Sequence, residues 1–305
     1  MISPSPSGEG RETTRLRRPG CGDLQPGVRS LIVTADDFGA HASVNEAVET
    51  AYRTGILTAA SLMVAAAAAA DAVERARSMP QLGVGLHLVL VEGRPVLPPE
   101  QIPGLVDGQG MFRTNMVRAG IDMFFRPSVR RQLRAEIEAQ FAAFAATGLK
   151  LDHVNAHKHF HLHPTIAGLI LDVGSRYGLK AVRAPIEPAA VLQQVESGKR
   201  ISNALTLPWA KLVCRRFRRA GVAVPDQVFG LHWSGAMTAD RVRGIIDNLP
   251  PGLSEVYLHP AAGDDWPGHA PGYMYAAEFA ALTDLDVIAA TEGIRLGSFE
   301  ALCAR

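Results

Sequence analysis

Short apolar runs alternate with amphipathic stretches along most of this chain. Leu31–Ala35 is a compact apolar run, and Ser43–Arg53 repeats its apolar residues at helical spacing. Thr58–Val64 and Val84–Leu88 read as further strands, with an Ala-rich helix over Ala66–Ser78 between them. Short continuous apolar runs suit buried strands, and longer periodic stretches suit helices. Residues 92–127 break the rhythm with scattered Pro, Gly and Phe and are expected to form an inserted loop region. Ser128–Thr147 then reads as a helix ended by Gly148, Leu151–Val154 as a strand, Thr165–Tyr177 as a helix ended by Gly178, and Ala181–Arg183 as a strand. Glu255–Leu258 and Ile294–Leu296 are late strands flanking a helix over Ala276–Ala290. Strands alternating with helices imply an α/β protein with a parallel sheet and helices outside it. The expected architecture is a (β/α) barrel, regular or irregular, and the runner-up is an open doubly wound sheet.

Composition narrows this only a little. A chain of 305 residues with 47% hydrophobic and 20% charged residues is ordinary for a globular protein. Residues 1–28 are rich in Pro, Ser, Gly and Arg, lack the apolar region of a signal peptide and are expected to be disordered, leaving one catalytic domain over 29–305. The Ile56–Ala70 run is too short to span a bilayer, which takes about 20 residues. A net charge of +1 gives no case for nucleic-acid binding. Cys21, Cys214 and Cys303 are far apart and lack metal-site spacing, which fits a reducing, cytoplasmic setting.

Candidate chemistry concentrates in Asp152–Pro164, which holds five of the ten histidines, four of them at alternate positions: His157, His159, His161 and His163. In an extended segment such residues face one side, and imidazole is a common metal ligand. A His-rich surface loop is the plainer alternative, but the hydrophobic pattern continues on both sides. Asp36 and Asp37 close the first apolar run. Paired acids can divide the work, one binding a metal and the other acting as a base. Both can face one site only if the strand ends or bulges there, and Gly39 permits such a turn. Ser43, with Glu46 three residues on, is the better helix cap, so neither Asp is needed for that role. His87 lies inside Gly83–Leu88, where it is either a core residue or a ligand. One Asp plus two His would leave coordination positions for water, as a catalytic site requires. His259 ends another apolar strand and could protonate a leaving group. Arg183 could bind substrate hydroxyls or hold Asp36 ionised. His232 and Trp233 could line a sugar-binding face, or Trp233 could be core. In residues 209–220, Trp209, Leu212, Val213 and Phe217 follow helical spacing among five basic residues. Such a helix can lie on an anionic membrane surface, or be an ordinary solvated face.

Together these residues resemble the YdjC-like carbohydrate deacetylases, whose motifs stand here as Ala35-Asp36-Asp37-Phe38-Gly39, Gly85-Leu86-His87-Leu88 and Asn155-Ala156-His157-Lys158-His159-Phe160-His161. The departure is Asn155-Ala156, where the family commonly has Asp-Ser. The resemblance implies a divalent metal, magnesium or zinc, on Asp37, His87 and His157, with Asp36 as general base and His259 as general acid. Arg183, His159, His161, His232 and Trp233 are the residues expected to contact substrate. The runs Thr58–Val64, Leu88–Pro99 and His153–His159 are similar to the hopanoid-biosynthesis-associated branch, which implies an N-acetylglucosaminyl hopanoid as substrate; a lipid-linked substrate favours a peripheral contact of residues 209–220 at the inner face of the membrane, and a homodimer is one candidate assembly. Deacetylation of soluble chitooligosaccharides, another metal-dependent hydrolase such as a phosphoesterase, and a binding protein without turnover are the rival readings.

Overall fold

The computed structural model describes residues 27–196 and 207–303. The expected disordered segment 1–28 therefore lies almost wholly outside the described residues. Seven strands form one sheet: β1 (Arg29–Phe38), β2 (Ala59–Leu62), β3 (Gly83–Leu88), β4 (Val154–Ala156), β5 (Gln227–Phe229), β6 (Gly252–Leu258) and β7 (Arg295–Leu296). Their order is β4-β3-β2-β1-β6-β5, with β7 against the first residues of β1, and every pairing is parallel. The apolar runs account for this. β2 and β3 are buried along their whole length and β1 along all but its first residue, as a parallel sheet covered by helices demands.

The sheet curls until its ends are linked. Arg183 N–H donates to Val154 O beside β4 (3.1 Å), and Val228 N–H of β5 donates to Ile186 O (3.0 Å). The extended segment 181–186 thus bridges the two outer strands. An open doubly wound sheet would leave those edges apart, so the arrangement is consistent with an irregular (β/α) barrel. The strand expected at Ala181–Arg183 is reduced to isolated bridges to Val154 and Ala223.

Several expectations need correction. Residues 92–127 contain a helix, Met116–Phe125. Its sequence is apolar on two faces, so no single amphipathic period marks it. The helix expected over 276–290 is two, Tyr275–Thr283 and Leu285–Ala290, because Asp284 caps the second by accepting from Asp286 N–H and Val287 N–H. The first helix is Ala42–Thr54, and its N-cap is His41, not Ser43. β5 and the helix Ala239–Asp247 were not foreseen. Cys214 is a buried free thiol, but Cys303 is disulfide-bonded, against the expectation of a reduced set.

Candidate active site

The site is built at the C-terminal ends of β1, β3, β4 and β6, the end of a barrel where loops can converge. At the end of β1 the register against β2 shifts between Ala35 and Phe38. Asp37 takes a left-handed backbone (φ 61), which is costly for a residue with a side chain. The irregularity breaks the alternation of the strand, so Asp36 and Asp37 both turn toward one place. Gly39 (φ 92) completes the turn, and a Cβ there would meet Ala69 Cα at 3.1 Å.

Asp37, His87 and His157 come together, with one ligand atom from each lying within 4.8 Å of the others. Asp37 Oδ1 is 3.3 Å from His87 Nε2 and 3.4 Å from His157 Nδ1. Asp37 Oδ1 and His87 Nε2 are buried without a hydrogen-bond partner among the described residues. Orphaned polar atoms are expensive to bury, and here they share one focus. A carboxylate and two imidazoles with open positions fit a divalent cation. Burial opposes the charge of Asp37, but the two imidazoles beside it hold its carboxyl well below the usual range. His87 is likewise shifted: burial lowers it, and Asp36 and Asp37 outweigh that and raise it.

A buried hydrogen-bond chain sets the ring of His87. Its Nδ1 lies 2.7 Å from Asn155 Oδ1. Asn155 Nδ2 donates to Asp36 Oδ1 (3.0 Å) and to Ser61 Oγ (2.9 Å). Ser61 Oγ meets His153 Nε2 at 3.0 Å, and His153 Nδ1 meets Asp152 Oδ2 at 2.9 Å. The proton pattern follows from donor counting. Asn155 spends both amide protons on Asp36 and Ser61, so its carbonyl oxygen must accept the Nδ1 proton of His87. That leaves a lone pair on His87 Nε2, facing Asp37. Ser61, having accepted from Asn155, donates to His153 Nε2, and His153 Nδ1–H donates to Asp152.

Arg183, expected to contact substrate or hold Asp36 ionised, is fully buried and does not line the cleft. Its guanidinium grips Asp36 in bidentate fashion (2.5 and 3.1 Å), donates to Glu255 Oε1 (2.7 and 2.9 Å) and lies 4.3 Å over the Tyr257 ring. Burial raises the Asp36 carboxyl, but the Arg183 charge overrides it and holds the group ionised far below the usual range. His259, one residue past β6, keeps its Nδ1 3.8 Å from Glu278 Oε2, a charge contact and not a hydrogen bond. Burial disfavours the imidazolium, while Glu278, then Asp37 and Asp36, favour it more strongly, raising His259 to about 9.

The histidine run is not extended. β4 ends at Ala156, and residues 157–162 form a 3₁₀ turn in which Lys158 and His159 have left-handed backbones (φ 53 each). The imidazoles therefore disperse. His157 joins Asp37 and His87. His159 lines the cleft and meets Tyr257 Oη at 2.8 Å. His161 is fully buried beneath, with neither ring nitrogen partnered among the described residues, and burial plus the Arg183 charge push it down to about 3. It lies in the core and does not line the cleft. His232 is exposed and Trp233 is packed away, its Nε1–H donating to Glu196 and Arg241 lying over its ring. Neither lines the cleft.

The cleft above the three candidate ligands has a volume of about 460 Å³. Sequence reasoning missed much of its wall: Glu92, Arg94, Trp266, His269, Tyr273 and Tyr275. All but Tyr275, which opens helix Tyr275–Thr283, come from loops, where spacing carries no period; only the Asp264-Asp265-Trp266-Pro267-Gly268 cluster, a turn-rich segment with an aromatic residue, hinted at one of them. Trp266 stacks on His41 (5.5 Å, 15°), and Tyr273 Oη lies 3.0 Å from Ser234 Oγ.

Comparison with known proteins agrees with this architecture. The model of the YdjC-like protein family matches residues 30–292. A carbohydrate deacetylase of Geobacillus stearothermophilus is 31% identical, over 88% of this chain and 96% of its own. One from Homo sapiens is 31% identical over 75% and 74%. One from Brevibacillus brevis is 42% identical over a shorter match, 48% of this chain and 56% of its own, so the chain matches only about half the length of that relative. A crystal structure from Enterococcus faecalis, described as a candidate cellobiose-phosphate cleavage protein, superposes with a TM-score of 0.71 at 26% identity, covering 90% of this chain and 99% of that one.

Proposed function

We propose, on the premise that this chain belongs to the YdjC-like protein family, that it is a metal-dependent carbohydrate N-deacetylase. One observation carries the reading. The unpartnered, buried Asp37 Oδ1 and His87 Nε2 converge with His157 at the base of a cleft walled by aromatic rings. Relatives named carbohydrate deacetylase support the substrate class. Asp37, His87 and His157 would hold a divalent cation, which would supply Lewis acidity toward the amide carbonyl, and two imidazole donors favour zinc over magnesium. Asp36 is a second carboxylate beside these ligands, always ionised, and accepts a proton from the attacking water. Arg183 makes it a weak base and fixes its direction. His259, protonated at neutral pH, gives its proton to the departing amine nitrogen. One water is consumed: its hydroxyl ends on the acetyl carbon and its proton on Asp36, the C–N bond breaks as His259 protonates the nitrogen, the amine leaves neutral, and exchange with solvent removes the proton from Asp36 and restores one to His259. Tyr273, half-buried on the cleft wall, offers a face for the apolar side of a pyranose.

Within that class the substrate is an N-acetylglucosaminyl hopanoid, and the protein works as a peripheral enzyme on the cytoplasmic face of the membrane. The runs Thr58–Val64 and Leu88–Pro99 and the basic helix Leu207–Arg219 support this. The test is mass spectrometry of acetylated amino sugars after incubation with metal-loaded protein. Loss of one acetyl mass is expected, with the hopanoid glycolipid preferred over chitooligosaccharides. Asp36→Asn should keep its metal and lose most turnover. Turnover of phosphate esters without any deacetylation would overturn the reading.

A further inference from the structure

Helix Met116–Phe125 presents apolar residues outward as well as inward. Ala119, Gly120 and Met123 face the core. Val117, Ile121, Phe124 and Phe125 form an outward stripe at i, i+4, i+7 and i+8, exposed by 75, 54, 43 and 71%. On helix Leu207–Arg219, Trp209 and Leu212 are exposed by 42 and 53%. Isolated exposed apolar residues need no explanation, but two neighbouring helices bearing six of them do.

The two helices flank one edge of the candidate site. His163 Nε2–H donates to Gly120 O (3.0 Å), and Trp209 Nε1–H donates to Leu162 O (2.9 Å). Leu162 and His163 end the same turn that begins with the candidate ligand His157 and carries His159 into the cleft. A groove lined by Phe124, Gly168 and Arg216 joins one helix to the other. The unpaired charge on this face has one sign, since Asp122, the acidic residue of helix Met116–Phe125, is ion-paired with Arg113 and Arg126. Helix 207–219 contains no acidic residue, and Lys211, Arg215 and Arg219 are exposed with no ion-pair partner among the described residues. Arg118 lies exposed beside Val117.

We propose that these two helices form one docking face for an anionic lipid bilayer, placing the edge of the catalytic cleft at the headgroup level. Exposed Phe and Trp beside long basic side chains suit that interface, where the rings enter the headgroup boundary and the cations meet lipid phosphates. A second copy of the chain is a poor occupant, since pairing the face with itself would bring unpaired cations together. The inference deepens the proposed lipid-linked substrate but rests on exposure and charge alone.

The test is co-sedimentation with vesicles of phosphatidylcholine, with and without phosphatidylglycerol. Two variants are compared with the wild type: Val117→Ser with Ile121→Ser and Phe125→Ser, and Lys211→Gln with Arg215→Gln and Arg219→Gln. All six positions are exposed, so folding should persist. Wild type should bind only the anionic vesicles, and less as salt rises. The charge variant should bind on the order of 100-fold more weakly, at roughly fivefold per cation, and the apolar variant at least tenfold more weakly. Deacetylation of a soluble chitooligosaccharide should be unchanged in both. Equal binding by all three proteins, or no wild-type binding at low salt, overturns the proposal. So does a wild-type dimer that the apolar variant turns into a monomer in sedimentation velocity. Loss of vesicle binding with intact soluble turnover would remove the surface and leave the deacetylase reading standing; absence of turnover with intact binding would do the reverse.

Discussion

Asn155 shows what a single side chain decides in this site. It holds His87, Asp36 and Ser61 at once, because its amide has two N–H donors for the carboxylate and the hydroxyl and a carbonyl oxygen that accepts from the imidazole. Ser61→Ala removes one partner and frees the amide to turn. Outer partners of metal ligands typically tune affinity by about 10–100-fold. We expect zinc affinity, measured by competition with a chelator, to fall within that range, while turnover at saturating metal falls less. Unchanged affinity would show that Asn155 holds its orientation without Ser61. His259 offers a second test. In the proposed mechanism its protonated form is the active one, and Glu278 is the first group raising it to about 9. Glu278→Gln removes that charge and should shift the alkaline limb of the kcat–pH profile to lower pH. A bound divalent cation acts in the same direction, so the wild-type limb should lie at or below about 9.

Among the elements, β1 and β3 carry the tightest constraints. Gly85 on β3 faces the ring of His153, and a Cβ there would lie 2.5 Å from Cε1. That ring cannot retreat: it stacks on Phe299 (4.2 Å) and is bonded to Ser61 and Asp152. Gly85→Ala should therefore cost about 1–3 kcal/mol in denaturant unfolding, typical of overpacking. An unchanged midpoint would mean that the His153 pocket is soft. The bulge in β1 is the counterpart: it brings two adjacent carboxylates to one site at the cost of a left-handed Asp37.

Across the whole molecule, the buried histidines make stability depend on pH in both directions. His161 titrates near 3 in the fold against an ordinary 6.5, and His159 is shifted the same way. Between those values the unfolded chain binds protons that the fold refuses, so stability falls as pH drops below about 6.5. His87 and His259 are raised, so their contribution is complete below 6.5 and is lost as pH climbs, for His259 through about 9. The metal-free protein should be most stable near pH 6.5, with melting temperature declining on either side. A melting temperature still rising at pH 5 would contradict the burial of His161. Metal needs His87 unprotonated, so zinc affinity should weaken as pH falls.

The sequence by itself determined the parallel α/β scheme, because buried strands must be continuous apolar runs and their helices must be periodic. It also determined the residue types of the candidate metal centre: Asp37, His87 and His157 end or follow strands that are recognisable from Leu31–Ala35, Val84–Leu88 and Leu151–Val154. Only the tertiary structure decided how these groups are used. The alternation of His157, His159 and His161 suggested a single face, but the chain must turn from β4 into helix Pro164–Gly174, and left-handed residues at 158 and 159 scatter the rings. Arg183 and the Asp152-His153-Ser61 chain act through contacts between residues up to 147 positions apart, which no local spacing encodes. The aromatic wall of the cleft comes from the loop after β6 and the first residue of helix Tyr275–Thr283, whose place is set by packing against the barrel and not by any period in the loop's own sequence.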